Sequence, residues 1–397
     1  MINFAVAEPT SSRPAEVERV SEALGGNGID FALLSTPGNV TYAAGFEAPL
    51  ALGPIWEIAS WLPLVLALVS ADGSGTLVAA DAYVGLAGRT WFDGVRSYDS
   101  LGHFEKLDPP ASFRHAITVT LRDAGLANGR AVLGVEPSLP LLAREVLADD
   151  FPNVELRDVS QALEQARRVK TEREIGLLRQ AALVASDAQT RLRDLAASAS
   201  LPGSDIDVWI ELLRVMEART SRHLTVTGEL VTGPRTALLA PGGPVGRTVE
   251  AGDAGLLDIS PRVDGYWADC TNVVVFGAEP TDEQRRYFHA ARDSCEAAMA
   301  TLRPGAKCSD AAEAVRATME RYGMEVAHYT GHQIGVSVNE KPRLVSYDHT
   351  VIEPGMVFCV EPGTYSGEGG PAGARAEKTV LVTEDGPEIL SQFEWGI

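Results

Sequence analysis

Residues 254–274, AGLLDISPRVDGYWADCTNVV, constrain this chain more than any other stretch. Leu256-Leu257 and Val273-Val274 supply apolar arms, and Asp264-Gly265 between them is a strong hairpin-turn signal. Asp258 and Asp269, eleven positions apart, fall on opposite arms. With a two-residue loop, Asp258 lies either directly opposite Asp269 or one diagonal step away. Both registers leave the carboxylates on one face, because side-chain direction alternates with period two. Facing carboxylates repel unless a proton or a cation sits between them. A cation is the better reading if further ligands arrive from elsewhere, and His332, Glu361 and Glu377 each stand in a short motif of the right kind.

His332 lies in HYTGHQIGV, where flanking glycines let backbone come close to a bound ion. Glu361 ends the strand-like run MVFCVEPG, and Pro362-Gly363 turns the chain away. Glu377 lies in ARAEKTVLV, where alternation puts it on one strand face. Taken singly, a histidine is more often a hydrogen-bonded structural residue and a strand-end glutamate is usually solvated. Taken jointly, two Asp, one His and two Glu are the ligand mixture of paired hard or borderline divalent ions: Mn, Co, Fe or Zn.

Composition narrows the function classes. With 34 basic against 54 acidic residues the net charge is −20, which argues against nucleic-acid or anionic-membrane binding. The first residues, MINFAVAEPTSSRPAEVE, lack a basic region followed by an apolar run, and the longest apolar stretch, 61–69, is about half of what spans a membrane. A cytoplasmic protein is expected. Cys270, Cys295, Cys308 and Cys359 show no Cys-x-x-Cys spacing and read as reduced, buried thiols, even though two of them adjoin the acidic motifs.

The 397 residues are enough for two or three domains. A helix over 13–25 precedes a strand over 29–34 and a turn at Thr36-Pro37-Gly38. The stretch TYAAGFEAPLALGPIWEIASW, with Tyr42, Phe46, Trp56 and Trp61, has no clean period and reads as a long ordered loop. A hairpin over 62–69 and 76–80 flanks Asp72-Gly73, and helix 111–124, strand 131–135, helix 139–147 and strand 154–158 complete an α/β unit with a mostly parallel or mixed sheet. The character changes near 161–170, where a Thr171-x-x-Glu174 capping box opens a helix with Ile175, Leu178, Ala182 and Leu183. We place a boundary there, giving domains 1–163 and 164–397. Further helices start at Ser204, at Thr281 (capping box to Gln284) and near Ser309. The fold class is α+β: an α/β N-terminal domain, then helices packed on one face of an antiparallel sheet.

The motifs DISPRVDGYWADCTN, GHQIGVSVNEKP, EPGTY and ARAEKTVLVTEDG resemble, in order and spacing, those of the pita-bread metallopeptidase superfamily, which includes methionine aminopeptidase, aminopeptidase P, prolidase and the metal-free creatinase. RRVKTEREIGLLRQA resembles the helix opening the catalytic domain of its longer members, and IDFALLSTPGNVTYAAGF the start of their creatinase-type N-terminal domain. The resemblance implies Asp258, Asp269, His332, Glu361 and Glu377 as ligands of two divalent ions, manganese foremost. It also implies Glu361 as general base on a metal-bridging hydroxide, and hydrolysis of a C–N amide bond.

Two positions depart from that pattern. Where the peptidases have His-Glu-x-Pro, this chain reads Asn339-Glu340-Lys341-Pro342, and an upstream family histidine falls at Ala240 or Pro241. Asn339, at a catalytic position, still donates a hydrogen bond but carries no charge. Arg235 or His223 could substitute, and Trp56, Arg235, Tyr266 and Arg375 stand as candidate substrate contacts. The expected function is a metal-dependent hydrolase of a dipeptide or a small non-peptide metabolite, such as the ectoine or dimethylsulfoniopropionate branches use. A metal-dependent lyase, a metal-free creatinase-like enzyme or a non-catalytic binding module are the alternatives. The resemblance further implies a homodimer, with Trp56 the residue best suited to reach a neighbouring site.

Overall fold

The structure, a computed structural model, describes residues 14–50, 62, 65–87, 90–100, 104, 106–239 and 242–397 and falls into two compact units, Met1–Arg167 and Arg168–Ile397. In the first unit the apolar segments pair into one mixed sheet. Its strands are β1 (Phe31–Leu34), β2 (Val65–Ser70), β3 (Gly75–Ala80), β4 (Gly94–Tyr98), β5 (Val132–Val135) and β6 (Glu155–Asp158), in the order β4-β3-β2-β1-β5-β6. β1, β5 and β6 run parallel, while the β2–β3 hairpin is antiparallel. Helices α1 (Ala15–Gly26), α2 (Pro37–Ala44), α3 (Pro109–Asp123), α4 (Leu141–Asp150) and α5 (Ser160–Arg168) accompany it. Phe113, Ile117 and Leu121 of α3 and Val146 and Leu147 of α4 bury with Leu33, Leu66 and Leu133 of the sheet. Each such side chain contributes about 1.5–3 kcal/mol.

One expectation fails in this unit. Thr36-Pro37-Gly38 is not a turn before a loop but the start of α2. Thr36 caps the helix by accepting from Asn39 N, and Pro37 takes the first position, where its missing N–H costs nothing. The helix is buried at Val40, Thr41, Tyr42, Ala43 and Ala44, so it has no polar face and no amphipathic period to read. Phe46 is buried, and Trp56 and Trp61 lie outside the described residues.

In the second unit, α6 (Glu172–Ala196) opens with the Thr171/Glu174 capping box and α7 (Asp205–Thr220) with a Ser204 cap. They cover β7 (Thr225–Thr232), β8 (Ala254–Val263), β9 (Tyr266–Trp267) and β10 (Cys270–Val275), with Ala185, Ala188, Leu192, Val208 and Leu212 packed on Leu230, Leu257 and Ile259. Helices α8 (Asp282–Thr301) and α9 (Cys308–Arg321) cover a second sheet: β11 (Gly331–Gln333), β12 (Glu340–Leu344), β13 (Val357–Val360), β16 (Lys378–Thr383) and β17 (Gly386–Ile389). That sheet runs β12-β11-β13-β16-β17, and β14 (Gly363–Tyr365) pairs with β15 (Gly373–Arg375) beside it. The expected single antiparallel sheet is therefore divided. The sheets meet where Glu377 N donates to Thr271 O at 3.1 Å.

Candidate metal centre

The β8–β10 hairpin turns at Asp264 and Gly265, both at positive φ (51° and 85°), as a two-residue type I′ turn requires. Asp258 is paired with Thr271. Asp269 accepts from Ser260 Oγ at 2.9 Å, so the two aspartates stand one diagonal step apart on the same face. The second sheet brings the other three. His332 pairs with Cys359 across β11 and β13, Glu361 follows β13 directly, and Glu377 immediately precedes β16. Gly331 is needed for this pairing, since a Cβ there would lie 2.0 Å from Cys359 O. Its close approach thus serves strand against strand rather than backbone against ion, a correction to the sequence reading.

All five side chains face one buried cluster. Ligand atoms of Asp269, His332 and Glu377 lie within 4.8 Å of one another. His332 Nε2 is 3.1 Å from Glu361 Oε1 and 3.8 Å from Asp269 Oδ2. His332 Nδ1 is 2.9 Å from Gln333 O, and a proton donated there would leave Nε2, the nitrogen facing the carboxylates, to serve as the ligand of an ion. Glu377 Oε2 accepts from Thr271 Oγ1 at 2.7 Å, and Asp258 Oδ2 accepts from Arg375 Nη2 at 2.6 Å. The remaining oxygens, Glu377 Oε1 and Asp258 Oδ1, are buried without a hydrogen-bond partner among the described residues.

The electrostatics carry the same message. Burial, then repulsion from Glu377 and Asp258, pushes the Asp269 carboxyl well above its usual range. Burial, then Glu361 and Asp258, does the same to Glu377. Burial also acts to raise Glu361, but the His332 imidazole and then Arg375 outweigh it and hold that carboxyl below its usual range. Without cations, protons must sit among these carboxylates for them to share the site. Orphaned buried oxygens, an imidazole nitrogen and mutually repelling carboxylates are what a divalent-ion site provides, and hard oxygen with borderline nitrogen suits Mn, Co, Fe or Zn. Burial pushes the Cys270 and Cys359 thiols well up, and all four cysteines are free and buried. They are core residues.

Several expected contacts lie elsewhere. Tyr266 is buried, with its hydroxyl 3.4 Å from Glu174 Oε1 at the start of α6. Arg235 donates to Gly243 O at 3.0 Å and faces Asp205, bracing its own loop. His223 is an exposed surface partner of Glu217. Arg375 spends its donors inside the protein, on Asp258, on Glu229 Oε2 at 2.7 Å, on Thr271 Oγ1 at 3.2 Å and on Tyr365 OH at 3.3 Å. It holds a candidate ligand in place. Trp56, Ala240 and Pro241 lie outside the described residues.

Asn339 is exposed; it donates from Nδ2 to Tyr329 OH at 3.4 Å and accepts Arg343 Nε at 3.2 Å on Oδ1. Arg343 and His328 escape a reading of the motifs. Alternation along β12, with Glu340, Pro342 and Leu344 buried and Lys341 and Arg343 exposed, was the available signal for Arg343. His328 stands four residues before His332; burial holds its imidazole below the usual range, and its Nε2 is buried without a hydrogen-bond partner.

Residues 176–384, more than half of the chain, match the model of metallopeptidase family M24, and residues 17–169 match the creatinase/prolidase N-terminal domain. The chain belongs to metallopeptidase family M24, and it is a metal-dependent hydrolase. It is 26% identical over 383 residues to the Xaa-Pro dipeptidase of Pyrococcus horikoshii, covering 96% of this chain and 97% of that protein. It is 30% identical over 249 residues to the Xaa-Pro dipeptidase of Lactobacillus helveticus, covering 61% and 65%. The prolidase structure from Pyrococcus horikoshii superposes with a TM-score of 0.78 at 23% identity, covering 96% of this chain and 99% of that one, so the fold is the pita-bread fold. No helix among the described residues is long and apolar enough to cross a membrane.

Proposed function

We propose that this protein is a dinuclear metal-dependent dipeptidase that cleaves the amide bond of a small substrate bearing a free carboxylate. The observation that carries the reading is the buried cluster in which Glu377 Oε1 and Asp258 Oδ1 have no hydrogen-bond partner among the described residues, while His332 Nε2 faces Glu361 Oε1 and Asp269 Oδ2. Asp258, Asp269, His332, Glu361 and Glu377 would hold the ions, manganese foremost. When bound, such ions supply the charge that makes water nucleophilic near neutral pH and polarises a carbonyl.

The chain's own residues do the rest. Glu361, its carboxyl held ionised beside His332, takes the proton of the attacking water on Oε1 and delivers it to the leaving nitrogen. Arg375 keeps Asp258 turned toward the cluster through the 2.6 Å bond. Arg343, exposed beside Asn339, supplies the positive charge for the substrate carboxylate.

The test is to load the purified protein with Mn, Co, Zn or Fe and offer a panel of dipeptides that includes Xaa-Pro sequences. Products carrying one added water support the reading, and products of elimination support the lyase instead. Failure to bind metal at all would remove it. The homodimer implied by the family resemblance is tested separately: sedimentation should give a particle near twice 42.2 kDa.

A further inference from the structure

Residues 390–397, LSQFEWGI, follow β17 and form no strand, yet their contacts run along the line where the two sheets of the second unit meet. Gln392 and Glu394 are exposed, while Phe393, Trp395 and Ile397 are partly buried, the alternation of an extended chain. Phe393 packs on the core beneath α6 and α7, whereas Trp395 and Ile397 pack on the core beneath α8 and α9. Trp395 meets Phe288 of α8 edge-on, with ring centres 6.1 Å apart and planes at 72°. One short segment is therefore shared by both cores.

The same segment is bonded to both sheets. On the first, the buried Asn272 of β10 spends both ends of its amide: Nδ2 donates to Glu394 O at 3.1 Å, and Oδ1 accepts Gly396 N at 3.0 Å. On the second, Lys378 of β16 donates from Nζ to Phe393 O at 2.6 Å and Ser391 O at 3.3 Å. That ammonium also lies 3.1 Å from the ring centre of Phe393 and 4.5 Å from that of Trp395, so ring faces and carbonyl oxygens hold its buried charge. Thr379 N donates to Ser391 Oγ at 3.0 Å. Gly396 leaves little slack, since a Cβ there would lie 2.2 Å from Val273 O.

Each anchor adjoins a residue that joins the sheets at a candidate ligand. Thr271, beside Asn272, donates from Oγ1 to Glu377 Oε2 at 2.7 Å, and its carbonyl accepts Glu377 N at 3.1 Å. Lys378 directly follows Glu377, and Thr379 Oγ1 donates to Asp269 O at 2.7 Å. Asp258 and Asp269 come from one sheet, and His332, Glu361 and Glu377 from the side of the other. The gap between the sheets therefore sets the spacing of the candidate ligands, and bonds across it support an ion site from outside. We propose that residues 390–397, gripped by Asn272 and Lys378, form a clasp that fixes this gap and so positions Asp269 and Glu377 for the ions. The clasp rests on the metal-dependent reading of the cluster. Its members act through Thr271, Lys378 and Thr379, which makes them positioning residues.

The decisive variants are Trp395→Ala, which removes the ring shared by Lys378 and Phe288, and Trp395→Phe, which keeps an aromatic face. Gln392→Ala, exposed on the same segment, is the control. Each purified full chain, stripped of metal, is titrated with Mn by calorimetry and with Co, whose visible absorption reports the arrangement of its ligands. Trp395→Ala should bind Mn about tenfold more weakly and shift the Co absorption. Trp395→Phe should recover most of the affinity and the wild-type spectrum, and Gln392→Ala should match wild type in both. A role confined to stability would lower the melting temperature of metal-free Trp395→Ala and leave the Co spectrum unmoved, which overturns the proposal. Mn affinity within about twofold of wild type in a folded Trp395→Ala protein overturns it too. Should that variant not fold, Gly396→Ala, whose added methyl meets Val273 O, is titrated in its place, and wild-type affinity and spectrum there are equally fatal. A wild-type protein that binds no metal removes the metal centre and the clasp together, whereas unchanged binding in the variants removes the clasp alone.

Discussion

Arg375 Nη2 donates to Asp258 Oδ2 at 2.6 Å, so the carboxylate that turns Oδ1 toward the cluster is gripped by its other oxygen. The guanidinium is itself buried and shared with Glu229. Removing it would leave two carboxylates with an uncompensated charge and one of them free to rotate. Arg375→Met should lower metal affinity about 10–100-fold and cost about 3–5 kcal/mol of stability. Metal titration and chemical unfolding measure the two effects, and unchanged metal affinity would show that the grip is incidental.

The five candidate ligands should divide by role. Asp258→Ala, Asp269→Ala, His332→Ala and Glu377→Ala should each lose bound metal, whereas Glu361→Gln abolishes turnover and keeps at least one ion. Elemental analysis of the purified variants checks this. A variant with full metal content and full activity would strike that residue from the set.

Metal and acidity should act in opposite directions on stability. Asp269 and Glu377 have folded pKa values raised by burial first and by neighbouring carboxylates second, from ordinary values of 3.8 and 4.5. The metal-free folded chain thus binds more protons than the unfolded chain, and stability falls as pH rises through the raised values. Below the ordinary values this contribution is complete. The metal-free protein should melt higher near about pH 5 than near about pH 8, and the metal-loaded protein the reverse, because ions bind deprotonated ligands and stabilise the native state. Differential scanning on both forms tests it, and the double variant Asp269→Asn, Glu377→Gln should flatten the metal-free slope.

Lys170 and Glu340 form a buried ion pair at 2.8 Å, with side chains 0% and 2% exposed. Glu340 is the neighbour of Asn339, and its other oxygen accepts from Ser337 N at 3.1 Å. Lys170→Met should cost about 3–5 kcal/mol by removing the opposite charge from a buried carboxylate, and Glu340→Leu a similar amount by removing it from a buried ammonium. The double variant should cost less than the sum, which thermal unfolding of the four proteins would read.

How far the sequence reaches can be judged from particular residues. Asp258 and Asp269 share a face because a two-residue turn and strand alternation leave no other choice, and both are local properties. The caps at Thr171, Ser204 and Thr281 mark three helix starts for the same reason: each is a bond between residues three positions apart. The α2 helix was illegible because its burial all round removed the periodic signal.

Contacts made across long stretches of chain belong to the tertiary structure alone. Arg375 reads as a plausible substrate contact in its motif, but its partners Glu229 and Asp258 stand 146 and 117 positions away, on strands that a different sheet presents. Tyr266 sits three positions before a candidate metal aspartate in sequence, yet its hydroxyl meets Glu174, 92 positions off. Tyr329, Asn339 and Arg343 are ten and four residues apart, and the β11–β12 pairing, with its irregular register after His332, folds them together. Local chemistry determined which residue types this protein carries to its centre and on which faces. The packing of the two sheets decided which of them meet in the buried cluster, which brace it and which stay exposed, because those positions depend on neighbours that no short window of sequence contains.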